Sequence, residues 1–127
     1  MTKKALIVDD AKVVRTSLGR IMQALGFEVF EAANGALAQE QMQAHDDISV
    51  VLLDWNMPVM NGYEFLVALR SDAKYTTEPS VIMVTTETGM PSMLKALAAG
   101  ADEYIMKPFD KEMVMDKLDI VGIAYEK

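Results

Sequence analysis

Five polar residues stand where four short apolar runs break off: Asp9 and Asp10 after ALIV at 5–8, Asp54 after VVLL at 50–53, Thr85 after VIMV at 81–84, and Lys107 after YIM at 104–106. Three carboxylates, a hydroxyl and an ammonium, if brought together, form a site for a phosphoryl group on a hard cation. Clustered carboxylates repel one another, and a cation that offsets them keeps such a cluster intact. Oxygen donors with no Cys anywhere and a single distant His, His45, select Mg2+, which retains several waters and takes only one or two carboxylates directly. Asn56, two residues past Asp54, can add its backbone carbonyl. Thr85 would then hydrogen-bond one phosphoryl oxygen and Lys107 would pair with another, leaving Asp54 as the nucleophile that becomes an aspartyl phosphate. Taken singly, each residue has a plainer explanation. Asp54 can close a strand, Asp10 can cap a helix, Thr85 can be an ordinary strand-end residue, and Lys107 a solvated lysine before a turn. Their joint placement at successive strand ends favours the chemical reading.

Only a parallel sheet brings those ends together. Residues 50–54 are apolar at every position up to Asp54, as befits a strand buried on both faces. The carboxyl edge of such a sheet is where open α/β folds bind ligands. Residues 5–8 and 81–84 have the same character, 104–106 form a short fifth strand, and 28–32 (EVFEA) alternate as an edge strand does. Between the strands the apolar residues recur at helical spacing. Val14, Leu18, Ile21, Met22 and Leu25 mark a helix over 11–25 that Gly26 stops; Leu37 and Met42 face inward over 36–44, after a turn at Asn34-Gly35. Phe65, Leu66 and Leu69 mark a third helix over 63–69. Gly89-Met90-Pro91 opens a fourth that ends at Ala99-Gly100-Ala101, and Val114, Leu118 and Val121 mark a fifth over 110–125. Residues 57–62 form a loop in which Gly62 supplies a backbone angle that other residues resist, and 71–79 are a polar surface loop. Five strands alternating with five helices predict a doubly wound α/β fold, a five-stranded parallel sheet of order 2-1-3-4-5 with helices on both faces, as one domain over 1–127.

The 127 residues suffice for one domain with a real core, and 51% hydrophobic with 24% charged residues is an ordinary globular composition. With no Cys there is no disulfide, thiol nucleophile or thiolate metal site. The opening MTKKALIVDD lacks the apolar stretch of a signal peptide and no run is long enough to span a bilayer, so a cytoplasmic protein is expected. A net charge of -7 disfavours nucleic acid and anionic membranes as partners and favours cations and basic protein surfaces.

The residues VDD at 8–10, DWNMP at 54–58, Asn61-Gly62, TTE at 85–87, AGAD at 99–102 and KPF at 107–109 occur in the order and spacing of response regulator receiver domains. From about residue 4 to 125 the chain resembles that family, and most nearly its stand-alone chemotaxis members, whose sheet has the flavodoxin-like order. The resemblance implies that a sensor histidine kinase phosphorylates Asp54, that Asp9 and Asp10 help hold Mg2+, and that Thr85 and Lys107 read the phosphoryl group. It also implies a cis bond between Lys107 and Pro108 and makes Tyr104 the switch aromatic, moving inward when Thr85 moves toward the phosphate; a fixed, half-buried strand-end tyrosine is the alternative. The protein would be a monomer that catalyses its own phosphorylation and dephosphorylation without being a turnover enzyme. Its downstream target would be a protein, the flagellar motor switch or another, with a phosphatase as a further partner.

Near the phosphoryl group the accessory residues are Trp55, Thr86 and Glu87. Thr86 stands where receivers usually have Ala or Gly, and its bulk should hinder the attacking water. Asn56 and Glu87 form the pair found in the chemotaxis members, where water and phosphatase helpers approach. The output face would present Met90, Met93, Tyr104, Met106 and Lys117, although each methionine can equally be core filler. Three rival readings remain. A Mg2+-dependent phosphatase would need a second carboxylate where Asn56 stands. A flavin or nucleotide binder would need glycines or hydroxyls where the chain has Asp9-Asp10-Ala11-Lys12. A phosphorelay shuttle or phosphate sink without motor contact would use the same site.

Overall fold

The computed structural model describes residues 2–86 and 89–126. The strands β1 (Lys4–Val8), β2 (Glu28–Ala32), β3 (Ile48–Leu53), β4 (Ser80–Thr85) and β5 (Glu103–Met106) form one sheet ordered β2-β1-β3-β4-β5, parallel at every pairing. Helices α1 (Lys12–Ala24), α2 (Gly35–Ala44), α3 (Gly62–Ser71), α4 (Met90–Ala99) and α5 (Lys111–Val121) connect and follow the strands. Side chains alternate between the two faces of a strand, and both faces are covered. Leu6, Val8, Val51, Leu53, Val81 and Met83 pack under α2, α3 and α4, while Ala5, Ile7, Val50, Leu52, Ile82 and Val84 pack under α1 and α5. That double burial is why the inner strands are apolar at every position. The edge strand β2 is covered less, and it does not show the expected alternation: neighbouring Val29 and Phe30 are both half-buried, one against each core, between exposed Glu28 and Glu31.

Side-chain caps fix where three helices begin. Asn34 Oδ1 accepts the Leu37 N–H, Asp110 Oδ1 accepts that of Met113, and Asn61 and Glu64 exchange bonds of 2.8 and 3.0 Å in a capping box that starts α3. Arg70 closes the far end of α3 against the loop before β4. Its guanidinium donates to the carbonyls of Gly100, Tyr75 and Pro79 and pairs with Asp102, which also accepts the Val81 N–H. The 71–79 loop is therefore tied down, and it contains a single 3₁₀ turn, Ala73–Tyr75.

Three further expectations are corrected. Leu37 is not inward but 42% exposed; α2 turns Ala38 and Met42 to the sheet instead. Residues 37 and 42 lie about 140° apart around a helix of 3.6 residues per turn, so they cannot share a face. The last helix ends at Val121 rather than 125. Gly122, at φ 77, closes it in the left-handed conformation, and the chain then runs back so that the Glu126 N–H donates to the Leu25 carbonyl at 2.8 Å. Gly62 does not have a positive φ. A Cβ there would instead fall on the Asp54 carbonyl oxygen, so room, not backbone angle, requires glycine.

The positive φ in that loop belongs to Val59, at 69°, inside a tight turn closed by a 2.8 Å bond from the Met60 N–H to the Pro58 carbonyl. A β-branched residue is strained there. Because Val59 is 83% exposed, its side chain contributes little packing. Val59→Gly should therefore raise stability by about 1 kcal/mol, the strain relieved exceeding the added freedom of the unfolded chain. A lower denaturation midpoint than wild type would contradict this. Among the described residues no helix is long and apolar enough to cross a membrane.

Candidate functional site

Four neighbouring strands deliver their ends to one edge of the sheet. Asp9 follows β1, held by its N–H on the Ala32 carbonyl at 3.1 Å, and Asp54 follows β3, held by its N–H on the Val8 carbonyl at 2.9 Å. Thr85 ends β4, and its carbonyl accepts the Lys107 N–H from the residue after β5 at 3.0 Å. These bonds extend the ladder of the sheet by one step, so the functional side chains are as firmly placed as the core. Asp9, Asp54 and Thr85 are the buried polar residues among those described, at 1%, 6% and 0% exposure. The Lys107–Pro108 peptide is cis.

The carboxylates of Asp9, Asp10 and Asp54 each bring an oxygen within 4.8 Å of the others. Lys107 Nζ lies 2.8 Å from Asp9 Oδ2 and 3.4 Å from Asp54 Oδ2. The remaining Asp9 oxygen, Oδ1, accepts the Ala11 N–H, and Asp54 Oδ1 accepts the Trp55 N–H at 2.8 Å. Burial, and then the Asp9 charge, push the Asp54 carboxyl above its usual range, against the opposing pull of Lys107, a Thr85 side-chain hydrogen bond and the Trp55 N–H. Burial would lower the Lys107 ammonium, but its bonds and proximity to Asp9 and Asp54 outweigh that and raise it.

Three carboxylates thus face one ammonium, and the cluster is short of positive charge. An all-oxygen donor set of this kind fits a hard divalent ion such as Mg2+, with Asp9, Asp10 and Asp54 as the side chains able to hold it. Asp10 is exposed at the mouth and does not cap α1. The residue at that cap is Ala11, with no side-chain cap bond, so the plainer explanation of Asp10 is not realised.

The remaining residues singled out from the sequence divide. Asn56 and Thr86 are exposed at the rim, and Trp55 is half-buried beside Asp54. Glu87 lies outside the described residues. Tyr104 is only 6% exposed, opposite Met83 in the sheet and part of the core, so it is not on the outer face as expected. Met90 and Met106 are exposed there at 63% and 43%, whereas Met93 packs partly against the core and Lys117 is bonded to Glu103 at 3.0 Å. Leu94 and Leu97, at 56% and 40% exposure, form an apolar stripe with Met90 along α4. Their i, i+4, i+7 spacing was a signal in the sequence, but it reads equally as a buried face.

Sequence reasoning also passed over Arg15. Its Nη1 donates to the Asp9 carbonyl at 2.8 Å and its Nε pairs with Glu31 at 3.0 Å, fastening the acidic loop to the edge strand. No local pattern distinguishes such an arginine from a solvated one.

Three comparisons bear on this arrangement. The profile of the response regulator receiver domain family matches residues 5–119. The chemotaxis protein CheY1 of Helicobacter pylori is 40% identical over 119 residues, covering 93% of this chain and 95% of that protein. The CheY homolog of Campylobacter jejuni is 40% identical over 121 residues, covering 94% and 92%. Among solved structures, Vibrio cholerae CheY4 superposes with a TM-score of 0.86 at 34% identity, covering 94% of this chain and 98% of that one. A chain of the Borrelia burgdorferi CheX–CheY–BeF3–Mg2+ complex does so with a TM-score of 0.88 at 29% identity, covering 95% and 90%.

Proposed function

The chain belongs to the response regulator receiver family, and from that premise we propose that it is a phosphoryl-accepting switch in which Asp54 takes a phosphoryl group from a histidine kinase. It is CheY-like, a signalling protein of the chemotaxis type rather than a turnover enzyme. The observation that carries the finer reading is the convergence of Asp9, Asp10 and Asp54 within 4.8 Å around one lysine.

In the forward step an Asp54 carboxylate oxygen attacks phosphorus, the phosphorus–nitrogen bond to the kinase histidine breaks, and the imidazole nitrogen keeps the electron pair. Thr85 and Lys107 each take a phosphoryl oxygen, as hydroxyl donor and as point charge. Mg2+ held by Asp9, Asp10, Asp54 and the Asn56 carbonyl would supply charge neutralisation for the transferring group. In the reverse step water attacks phosphorus, inorganic phosphate leaves and the carboxylate is regenerated. Trp55 and Thr86 border the path of that water.

Phosphorylation then shifts a population. Bonds to Thr85 and Lys107 favour one arrangement of the loop after β4, the inward position that Tyr104 already occupies here is held, and the face of α4, β5 and α5 changes its affinity for a downstream target. The exposed apolar stripe of Met90, Leu94 and Leu97 on α4, with Met106 exposed on β5, suits a protein target such as a flagellar motor switch, a feature a phosphate sink would not need. The reading includes a single-domain, monomeric protein of the cytoplasm.

The test is incubation with Mg2+ and acetyl phosphate or beryllofluoride, read by Trp55 emission and by intact mass. A saturable, Mg2+-dependent response supports the assignment, and an unchanged mass after acetyl phosphate removes it. Thr86→Ala should lose its phosphoryl group about two- to fivefold faster than wild type, a barrier change of about 0.5–1 kcal/mol, because the smaller side chain clears the approach of water. Equal decay rates would dismiss a blocking role for Thr86.

A further inference from the structure

A second line of contact runs from Asp54 to α4, and it involves neither Thr85 nor Tyr104. The Trp55 backbone N–H donates to Asp54 Oδ1 at 2.8 Å; the Trp55 ring stacks on Tyr63 of α3 with centroids 5.4 Å apart and planes at 23°; and Lys95 Nζ of α4 lies 4.4 Å from the centroid of the Tyr63 ring. The main chain of Trp55 is held as well, its carbonyl accepting the Gly62 N–H at 2.8 Å. One residue thus offers its ring to Tyr63 and its backbone N–H to Asp54, and that N–H orients the Asp54 carboxylate.

The other end of the line is lightly anchored. Ala96 is the one residue of α4 that is fully buried, while Met90, Leu94 and Leu97 are exposed. Besides the Arg70 bond to the Gly100 carbonyl at its far end and the partial packing of Met93 and Ala99, the cation–π contact is one of the few ties between this helix and α3.

We propose that Lys95 is a positioning residue for Asp54, acting through Tyr63 and Trp55, so that the geometry of the carboxylate and the docking of α4 are coupled. The inference rests on Asp54 being the phosphoryl acceptor and adds a residue on the partner-facing helix to its machinery. Coupling of this kind is reciprocal. A partner seated on the stripe beside Leu94 that draws Lys95 away from Tyr63 alters the reactivity of Asp54, and a change at Asp54 alters the hold on α4.

The full chain is compared with Lys95→Met, which keeps an unbranched side chain but no charge, and with Lys95→Arg, which keeps the cation. Beryllofluoride dissociation constants are measured at fixed Mg2+, alongside Trp55 emission. Lys95→Met should weaken beryllofluoride binding about two- to fivefold, the range to which a cation–π contact at an exposed site converts, and shift Trp55 emission to the red. Lys95→Arg should restore both. In a Tyr63→Leu background Lys95→Met should have no further effect. Wild-type affinity and emission in Lys95→Met, failure of Lys95→Arg to restore them, or additivity with Tyr63→Leu would each overturn the positioning role. A wild-type chain that shows no Mg2+-dependent response would instead overturn the receiver chemistry itself, and this inference with it.

Discussion

An Asp54→Asn variant takes up no phosphoryl group from acetyl phosphate and Mg2+, read as an unchanged intact mass, and in metal-free buffer it unfolds at a higher temperature than wild type. The first half follows from the nucleophile: a carboxamide has no anionic oxygen to attack phosphorus. The second follows from its surroundings. Asp54 is 6% exposed, and the carboxylates of Asp9 and Asp10 come within 4.8 Å, with Lys107 closer to Asp9 than to Asp54. Burial and the Asp9 charge raise the Asp54 carboxyl above its unfolded value. A carboxylate raised in the folded state opposes folding wherever it is charged, and the folded state gains stability as pH falls through the raised value. The variant lacks that liability, so it should be more stable at neutral pH and gain less on acidification. Mg2+ should narrow the difference by binding and stabilising folded wild type. Paired melting curves with and without Mg2+ check this; a variant melting below wild type in metal-free buffer would refute the electrostatic account, and a mass gain would refute the assignment of the acceptor.

Gly62→Ala should lower Tm by about 10 °C and weaken beryllofluoride binding at the same time. The added methyl falls on the Asp54 carbonyl oxygen and close to the Trp55 Cα. Neither is the flexible end of a side chain, so main chain must move. Overpacking against an immovable neighbour costs up to about 3 kcal/mol, and a domain of this length loses roughly 3–5 °C per kcal/mol. The displaced segment also carries the Gly62 N–H to the Trp55 carbonyl, 2.8 Å long, and with it the orientation of Asp54. Melting and titration of the same preparation test both effects. Wild-type stability in this variant would show that the approach of α3 to β3 is looser than described.

Much of this was legible beforehand. The doubly wound sheet, its strand order and the convergence of Asp9, Asp10, Asp54, Thr85 and Lys107 follow from apolar runs that stop at polar residues, and the structure has that sheet and that convergence. Other features were not legible, for separable reasons. The outward side taken by Leu37 is hidden because apolar character does not reveal helix phase when a short helix offers few markers. The end of α5 is hidden because apolar residues continue past Gly122, and only its left-handed conformation shows that the helix stops. The reason for Gly62 is hidden because a glycine required for space leaves the same letter in the chain as one required for conformation.

By itself the sequence determined which groups reach the carboxyl edge, since a strand buried on both faces must be apolar throughout, and the residue after it is placed by chain geometry alone. Only the tertiary structure decided how those groups meet. Lys107 sits 2.8 Å from Asp9 and 3.4 Å from Asp54, Arg15 grips the Asp9 carbonyl, Tyr104 is packed inside, and Lys95 reaches back over Tyr63 toward Trp55. Such contacts join residues far apart in the chain. They depend on how each helix is rotated and seated on the sheet, which local periodicity constrains to a face but not to the ångström at which charge, stacking and hydrogen bonding take effect.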